Sequence, residues 1–538
     1  LSSIQEERLT RKKNEVGFPI KAIRESLNVL NLTKRDIDHL VYSSKFMHDK
    51  KYLQNPLDWY KIGLQDQIDD EKKPKYYKKI IFDKRKQERV EIAQRFLGIS
   101  TKNIYFLDHH LCHIASAYYC SSHSKKEKTL GISLDGSGDN FAGSVYICKN
   151  NEFIKLSSTK RDASLGKIYS RITALMGMKP WEHEYKVMGL APYCKNKYYQ
   201  KTLNKLLKLQ TVKNFRFIFK EKPKDLFFDI KKKLEGERFD SIAGGLQKYT
   251  ELLICDWIKK LTKKYRVGDI CMAGGVAMNV KNNLMINNLV NIKNVFVPPS
   301  PDDSSQSMGA CYYHYHKTYN KIPAPLENAY LGYQIPKTKI EKLINKLNKK
   351  NYLIYNKNII PKVVRLLENG KVIGRCVGRS EFGARSLGNR SILANPSSMD
   401  IKKILNEKVK NRDFWMPFAA TVLKSHASKY FVLKGRTENY NYMTNCLETT
   451  KVGKMKLQAA IHPYDQTCRP QILEKGQNPR YEKIISAFGK KTNVYGLLNT
   501  SFNLHGFPIV NDEKNAWNVF LKKDIDALIL EDYLIIKN

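Results

Sequence analysis

The apolar run NIYFLD (103–108) leads without a break into DHHLCHIASAY (108–118). A short apolar run bounded by polar residues reads as a strand. This one delivers Asp108 and His109 to the start of a helix. His109 and His113 then stand at i and i+4, on one helical face. The next stretch, LGISLDGSGDNFAGSVYICKNNEFIKLSS, alternates as a hairpin meander does, with turns expected at DG and GSGDN. Further on, DICMAGGVAMN (269–279) reads as strand, Gly turn and helix, NVFVPPS (293–299) as strand, and SSQSMGACYYHYHK (304–317) as helix. A chain that repeats strand, Gly/Asp turn and helix is confined to an α/β architecture, with ligands at the carboxyl ends of its strands. Function then sits in the turns, where glycine lets backbone approach a ligand closely.

With 538 residues the chain exceeds what one hydrophobic core organises, so two or three domains are expected. The formal net charge is +42. A nucleic-acid partner would need a localised basic groove, and the lysines are instead scattered. Stretches such as KKLTKKYR and KLNKK read as solvated helix faces, and nucleic acid is not expected as a partner. The charge can still help to hold small anionic substrates. The ten cysteines include no CxxC pair, which points to a reduced, cytoplasmic chain without a disulfide framework. No apolar run reaches about 18 residues, so no membrane span is expected, nor does a signal peptide stand out. Residue 1 is leucine, and the polar opening LSSIQEERLTRKK reads as a sequence from which a leading segment is absent.

Residues 17–45 and 163–179 read as helical, and 239–264 as a long amphipathic helix with a kink at its glycine pair. Composition changes over 320–357, with three prolines and a polar helix. The expected division is a first domain over 1–345, a linker over 346–357 and a second domain over 358–538. The second opens with KVVRLLENGKVIGRCVGRS, helix then strand. It closes with NVYGLLNTSFNLHG and a strand in LILEDYLIIK.

Four groups of residues carry chemistry. His109 and His113, with Asp135 returning from a nearby strand, make a compact site for a metal or a phosphate. The turn Gly136–Gly138–Asp139 can present N–H groups to an anion, as a plain hairpin turn also would. Gly274 and Gly275 precede a helix start, where free N–H groups also gather. In the second domain, GRSEFGARSLGNRS sets Arg379, Arg385 and Arg390 among glycines. That pattern suits bidentate grips on phosphate, the bland alternative being that one arginine pairs with Glu381.

DHHLCHIASAY, SLDGSGD, SLGKIYSRIT, EYKVMGLAPY, AGGVAMN, GRSEFGARSLGNRSILA, MPFAA and NTSFN follow one another in order along the chain. In this ordered set the chain resembles the carbamoyltransferases related to the nodulation protein NodU and to the O-carbamoyltransferases of antibiotic biosynthesis. The resemblance covers essentially the whole chain, from QEERLTRKK onward. It implies an α/β protein with an N-terminal Kae1-like domain of actin/Hsp70 type (ASKHA), followed by a C-terminal YrdC-like α/β domain. The second is expected to form carbamoyl-adenylate from ATP and carbamoyl phosphate. The first is expected to transfer the carbamoyl group to a hydroxyl of a small metabolite.

The resemblance implies His109, His113, Asp135 and Asp303 as ligands of Fe2+ or another divalent transition metal, with Mg2+ accompanying ATP. Asp303 is otherwise an N-cap for SSQSMGA, and a one-residue shift would exchange it with Asp302. His110, off the face of the other two histidines, is a candidate proton acceptor or a support for its neighbours. Arg379, Arg385 and Arg390 are the catalytic candidates of the second domain. Nucleotide or substrate contacts are expected from Gly136, Gly138, Asp139, Glu184, Lys186, Gly274, Gly275 and Asn279 in the first domain. In the second they are expected from Arg412, His462, Arg469, Asn499, Ser501 and Asn503. The chain departs from the family at Ala384, where proline is usual, and in IHPYDQTCRPQ, which has one extra residue and Gln466 for glycine. The family's first strand, with an early His–Asp pair, does not precede QEERLTRKK, so the first sheet is expected to lack it.

The lead expectation is therefore an ATP-dependent carbamoyltransferase with a small hydroxylated acceptor, cytoplasmic, with a homodimer allowed. Two alternatives stand beside it. A tRNA threonylcarbamoylation factor would use threonine and bicarbonate in place of carbamoyl phosphate. A catalytically inactive nucleotide-binding protein would release no pyrophosphate.

Overall fold

A computed structural model describes residues 1–46, 75–125, 127–348 and 350–538; Lys349 of the KLNKK stretch lies outside them. They form two compact units. One comprises Val16–Phe18 and Lys34–Leu326, the other Leu1–Glu15, Pro19–Thr33 and Glu327–Asn538.

The first unit is built on a five-stranded sheet in the order Glu152–Lys160, Phe141–Lys149, Thr129–Gly138, Asp269–Ala273, Asn294–Phe296. The first three are the antiparallel meander that alternation predicts. The last two add in parallel. Their connection passes through the helix Val280–Asn287, because parallel neighbours need a crossover. Asp135–Gly136, expected as a turn, lies inside the strand Thr129–Gly138. The chain reverses instead at Asp139 and Asn140, both left-handed with φ of 45° and 70°. The period of two then aims Gly131, Ser133 and Asp135 at the helix His109–Cys120, where they meet Ile114, His110 and His109. That helix is buried at every residue but Leu111.

The region 17–45 departs from a single helix. It holds the helix Ile20–Val29, a 3-10 turn at Lys34–Asp36, and the strand Leu40–Tyr42. The strand pairs in parallel with Ile104–Phe106, a long-range partnership that local periodicity does not encode. The helix Phe239–Tyr265 runs unbroken through its glycine pair. A Cβ on Gly244 or Gly245 would stand 2.8 Å from Tyr199 or 2.9 Å from Thr202, so the pair serves close packing.

The second unit carries an eight-stranded mixed sheet. Its order is Tyr352–Tyr355, Tyr533–Lys537, Ala527–Leu530, Ile373–Cys376, Arg390–Ala394, Gly496–Ser501, Ala419–Leu423, Gln471–Leu473. Part of the stretch expected as a linker, Tyr352–Tyr355, is its edge strand, paired antiparallel to Tyr533–Lys537. LILEDYLIIK is two strands rather than one, reversing at Glu531 with φ of 50°. The helix Ile359–Glu368 lays Val363, Val364 and Leu367 on the sheet, in a core with Ile373, Ile392, Val422, Leu497 and Ile529. Each such side chain contributes about 1.5–3 kcal/mol by burial. Among the described residues no helix is long and apolar enough to cross a membrane.

Candidate functional site

At the carboxyl end of the central strand, the first turn of the helix His109–Cys120 meets Asp135. Asp108 caps that helix by accepting the Leu111 N–H at 2.9 Å. His109 Nε2 lies 3.1 Å from Asp135 Oδ2, and His113 Nε2 lies 3.3 Å from Asp303 Oδ1. The four ligand-type atoms of His109, His113, Asp135 and Asp303 fall within 4.8 Å of one another. Asp302 is the helix cap, taking the Ser304 N–H at 3.0 Å and the Ser300 hydroxyl at 2.8 Å. Asp303 is thereby left to face the histidines. The His113 side chain is fully buried while that of Asp303 is 65% exposed, so the cluster opens to solvent on one side. Two imidazoles and two carboxylates converging from three elements suit a borderline divalent metal.

Burial opposes a charge on His113, but hydrogen bonding to Asp135 and Asp303 outweighs it and pushes the imidazole up to about 9. Burial likewise opposes ionised Asp135. Its bonds with His109 and His113 prevail and hold it well below the usual carboxylate range.

His110 sits differently. Its Nε2 is 3.1 Å from the Gly138 carbonyl and its Nδ1 is 2.9 Å from Ser133 Oγ. A carbonyl only accepts, so Nε2 carries the proton. Burial first, and then His109 and His113, pull the ring down to about 4. Neutral His110 thus donates to Gly138 and accepts from Ser133, with both nitrogens engaged.

The glycine turns act on the ligands themselves. The Gly275 N–H donates to Asp135 Oδ1 at 2.8 Å. Gly274, at φ 97°, passes so near Leu134 that a Cβ would meet its carbonyl oxygen at 2.3 Å. Gly136 lies under the Trp181 ring. Asp139 accepts from the N–H groups of His109, Lys45 and Phe46 and from the Ser44 hydroxyl, at 2.7–3.1 Å. Its carboxylate is occupied with backbone. Asn279 caps the helix Val280–Asn287 through the Asn282 N–H. Glu184 accepts from the Trp181 N–H at 2.7 Å, and burial raises its carboxyl. Lys186 lies on the same short helix, Glu184–Leu190.

Gln306 was not singled out by sequence. Its Nε2 lies 3.0 Å from His109 Nε2, 2.8 Å from His113 Nε2 and 2.9 Å from Asp303 Oδ1. The Asp303 carboxylate can only accept, which fixes the amide nitrogen inward, and Gln306 Oε1 accepts from the Ser43 hydroxyl at 3.1 Å. The signal that could have found it is its place at i+3 from Asp303, on the same helical face.

In the second unit the arginine loop is folded around Glu381. Glu381 Oε1 accepts the N–H groups of Leu387, Asn389 and Arg390 at 2.8, 2.7 and 3.0 Å. The carboxylate thus gathers backbone amides rather than pairing with an arginine. Arg390 is wholly buried and donates to the carbonyls of Val377, Gly378, Asn389, Tyr333 and Asn511. Arg379 donates to those of Leu1, Leu331 and Gly332. Arg390 thus holds the loop's own backbone and Arg379 ties the loop to Leu1, Leu331 and Gly332, while Arg385 is half-buried. Ser386 and Asn499 bond in both directions, at 3.1 and 3.2 Å, joining the loop to the strand Gly496–Ser501.

Beside that strand lies Lys410, a further residue that sequence reading passed over. It closes the π-helical turn Leu405–Lys410, a rare geometry that recurs at functional sites. Its ammonium donates to the Ser501 carbonyl, to Ser501 Oγ at 3.0 Å and to Asn503 Oδ1 at 2.7 Å. Burial, then Arg412 and Lys523, hold it well below its ordinary value. Arg412 donates to Asn406 Oδ1 at 2.9 Å and lies over the Phe418 ring. The Arg469 guanidinium is likewise pulled down by burial. His462 is buried and 3.6 Å from Asp465. Gln466 has φ of 57°, the left-handed conformation that glycine adopts freely.

A family model described as carbamoyltransferase N-terminus matches residues 1–312, and one described as carbamoyltransferase C-terminus matches 364–537. Three proteins illustrate the similarity. An uncharacterized protein of Methanocaldococcus jannaschii is 32% identical, over 100% of this chain and 96% of its own length. Nodulation protein NolNO of Sinorhizobium fredii is 28% identical, over 100% of this chain and 77% of its own. Nodulation protein U of Rhizobium tropici is 28% identical over 52% of this chain and 47% of its own.

Proposed function

Because the chain belongs to the carbamoyltransferase family, an enzyme family of ATP- and carbamoyl phosphate-dependent transfer, we propose how its two halves divide that reaction. The transfer centre belongs to the part of the expected first domain, 1–345, that forms the unit Lys34–Leu326, as a Kae1-like domain of actin/Hsp70 type, while Leu1–Glu15 fold with the second unit. The adenylating centre belongs to 358–538, as a YrdC-like domain. The observation that carries the reading is the convergence of His109, His113, Asp135 and Asp303 within 4.8 Å, in a unit separate from the arginine loop.

Balance fixes the first half-reaction. Carbamoyl phosphate, ATP and water give carbamoyl-adenylate, pyrophosphate and inorganic phosphate. A carbamate oxygen bonds to the α-phosphorus as the bond to pyrophosphate breaks. Arg385 and Lys410 supply cations to the phosphate oxygens that carry charge in this step. Arg412, Arg469, Asn499, Ser501 and Asn503 surround the nucleotide, with Mg2+ on its phosphates. Arg379 and Arg390 keep the loop in shape.

In the second half-reaction a hydroxyl of a small, sugar-containing acceptor attacks the carbamoyl carbon and AMP leaves. The four ligands would hold Fe2+ or another divalent transition metal, which when bound neutralises charge on the phosphate. Asp135 is oriented by the Gly275 N–H, and His109 by Gly138. His110, with both nitrogens engaged, holds Ser133 and the Gly138 carbonyl in place. A cytoplasmic setting accords with ten cysteines that form no disulfide.

The test is pyrophosphate release from ATP without acceptor. It is expected to require carbamoyl phosphate, and a mass-based screen of hydroxylated metabolites then identifies the carbamate formed. Turnover sustained by threonine and bicarbonate in place of carbamoyl phosphate would favour the tRNA-modification reading, and no release under either condition would refute both.

A further inference from the structure

The short helix Glu6–Thr10 belongs to the same compact unit as the arginine loop, far as it is from that loop in sequence. Its Arg8 is 3% exposed, and Nη2 donates to the Gly383 carbonyl at 2.7 Å. Just past the helix, Arg11 donates to the carbonyls of Ile509 and Pro508, each at 2.7 Å. Burial pulls the Arg8 guanidinium down to about 10, in spite of nearby Glu381. A cation placed there at such a desolvation cost is not needed for packing, since an aliphatic side chain would fill the space more cheaply.

The bond to Gly383 falls at a consequential point. Glu381 holds the far side of the loop through the Leu387 N–H, and Ser386 is tied to Asn499. With Gly383 held by Arg8, the segment from Ala384 to Ser386 is fixed at both ends, and Arg385 lies between. Arg11 fixes the loop that follows Asn503. Presetting a phosphate-binding segment spares the ordering that the ligand would otherwise have to impose.

We propose that Arg8, assisted by Arg11, is a positioning residue for the phosphate grip of the adenylating unit, so that the amino-terminal QEERLTRKK segment serves carbamoyl-adenylate formation and not transfer. This rests on the adenylation reading above. It is tested in the full chain with Arg8→Lys and Arg8→Ala, by calorimetric binding of inorganic pyrophosphate and by the KM for carbamoyl phosphate in pyrophosphate release. Melting temperature and bound metal are followed alongside. The expected result is binding weakened about 10-fold, a raised KM and unchanged metal content. Added guanidinium should restore part of the binding to Arg8→Ala. Unchanged pyrophosphate affinity in both variants overturns the proposal. So does a loss that only tracks melting temperature and is not relieved by guanidinium, because Arg8 would then be a folding residue. If the wild type binds pyrophosphate yet releases none from ATP with carbamoyl phosphate, the adenylation reading fails, and the binding comparison still decides the role of Arg8.

Discussion

Gly138 lies so close to His109 that a Cβ on it would stand 2.2 Å from the imidazole ring. The ring can reach Asp135 only because that space is empty. Gly138→Ala should therefore displace His109 and lower metal affinity about 10- to 100-fold, at a cost of about 1–3 kcal/mol in stability. Chelator competition and thermal melting measure the two effects. Wild-type affinity in a folded Gly138→Ala protein would mean that His109 is not held by this contact.

His113 is buried between two carboxylates of the centre. His113→Ala should lose bound metal and reduce carbamoyl transfer by at least about 100-fold, while carbamoyl phosphate-dependent pyrophosphate release stays near wild type. A histidine that merely packs its helix would behave otherwise, with both half-reactions declining as the protein melts earlier.

Arg385 is the half-buried loop arginine between the Gly383 and Leu387 anchors. Arg385→Ala removes a grip made in ground state and transition state alike, so KM for carbamoyl phosphate should rise and kcat should fall. Steady-state pyrophosphate release gives both constants. Normal kinetics in a folded variant would remove Arg385 from the site.

Lys410 is a buried ammonium bonded to neutral oxygens. If its place is owed to phosphate, Lys410→Met should leave stability unchanged or higher, because a desolvated charge is removed. Pyrophosphate release should fall about 100-fold. Paired melting and activity measurements check the opposite signs, and a variant that is less stable yet fully active would contradict the assignment.

The pH dependence of the metal-free protein follows from His113. Its value in the folded chain is raised from 6.5 to about 9. A raised value means that its stabilisation is complete below the unfolded value and is lost as pH rises through the folded one. The chelator-treated protein should thus melt progressively earlier between pH 6.5 and 9, and His113→Asn should show a flatter profile there. Proton and metal compete for the same nitrogen, so apparent metal affinity should increase over that window.

Local pattern was enough to locate the elements that bear the chemistry. The strand before Asp108, the histidine helix, the meander and the helix after Asp303 all follow from periodicities of two and 3.6, which a short segment carries within itself. The four ligands were legible only with the ordered motifs of the family beside them. What each polar group bonds to was not legible, because a partner is chosen by whatever the fold brings within hydrogen-bond reach. Asp302 and Asp303 are adjacent and alike in sequence, and only the approach of the histidine helix makes one a cap and the other a ligand-type group. Arg379, Arg385 and Arg390 look equivalent in their loop, yet burial and five carbonyl acceptors commit Arg390 to the backbone. Tyr352–Tyr355 reads as linker until Tyr533–Lys537 arrives to pair with it. Gln306 and Lys410 carry no motif, Arg8 sits in QEERLTRKK with no role legible there, and the placement of all three beside the candidate centres is a product of contacts made across the chain. The sequence by itself determined the alternation of strand and helix and the order of reactive residues, since both are local. Tertiary packing alone decided which of those residues face a ligand and which hold the frame, since desolvation and hydrogen-bond saturation exist only once distant segments meet.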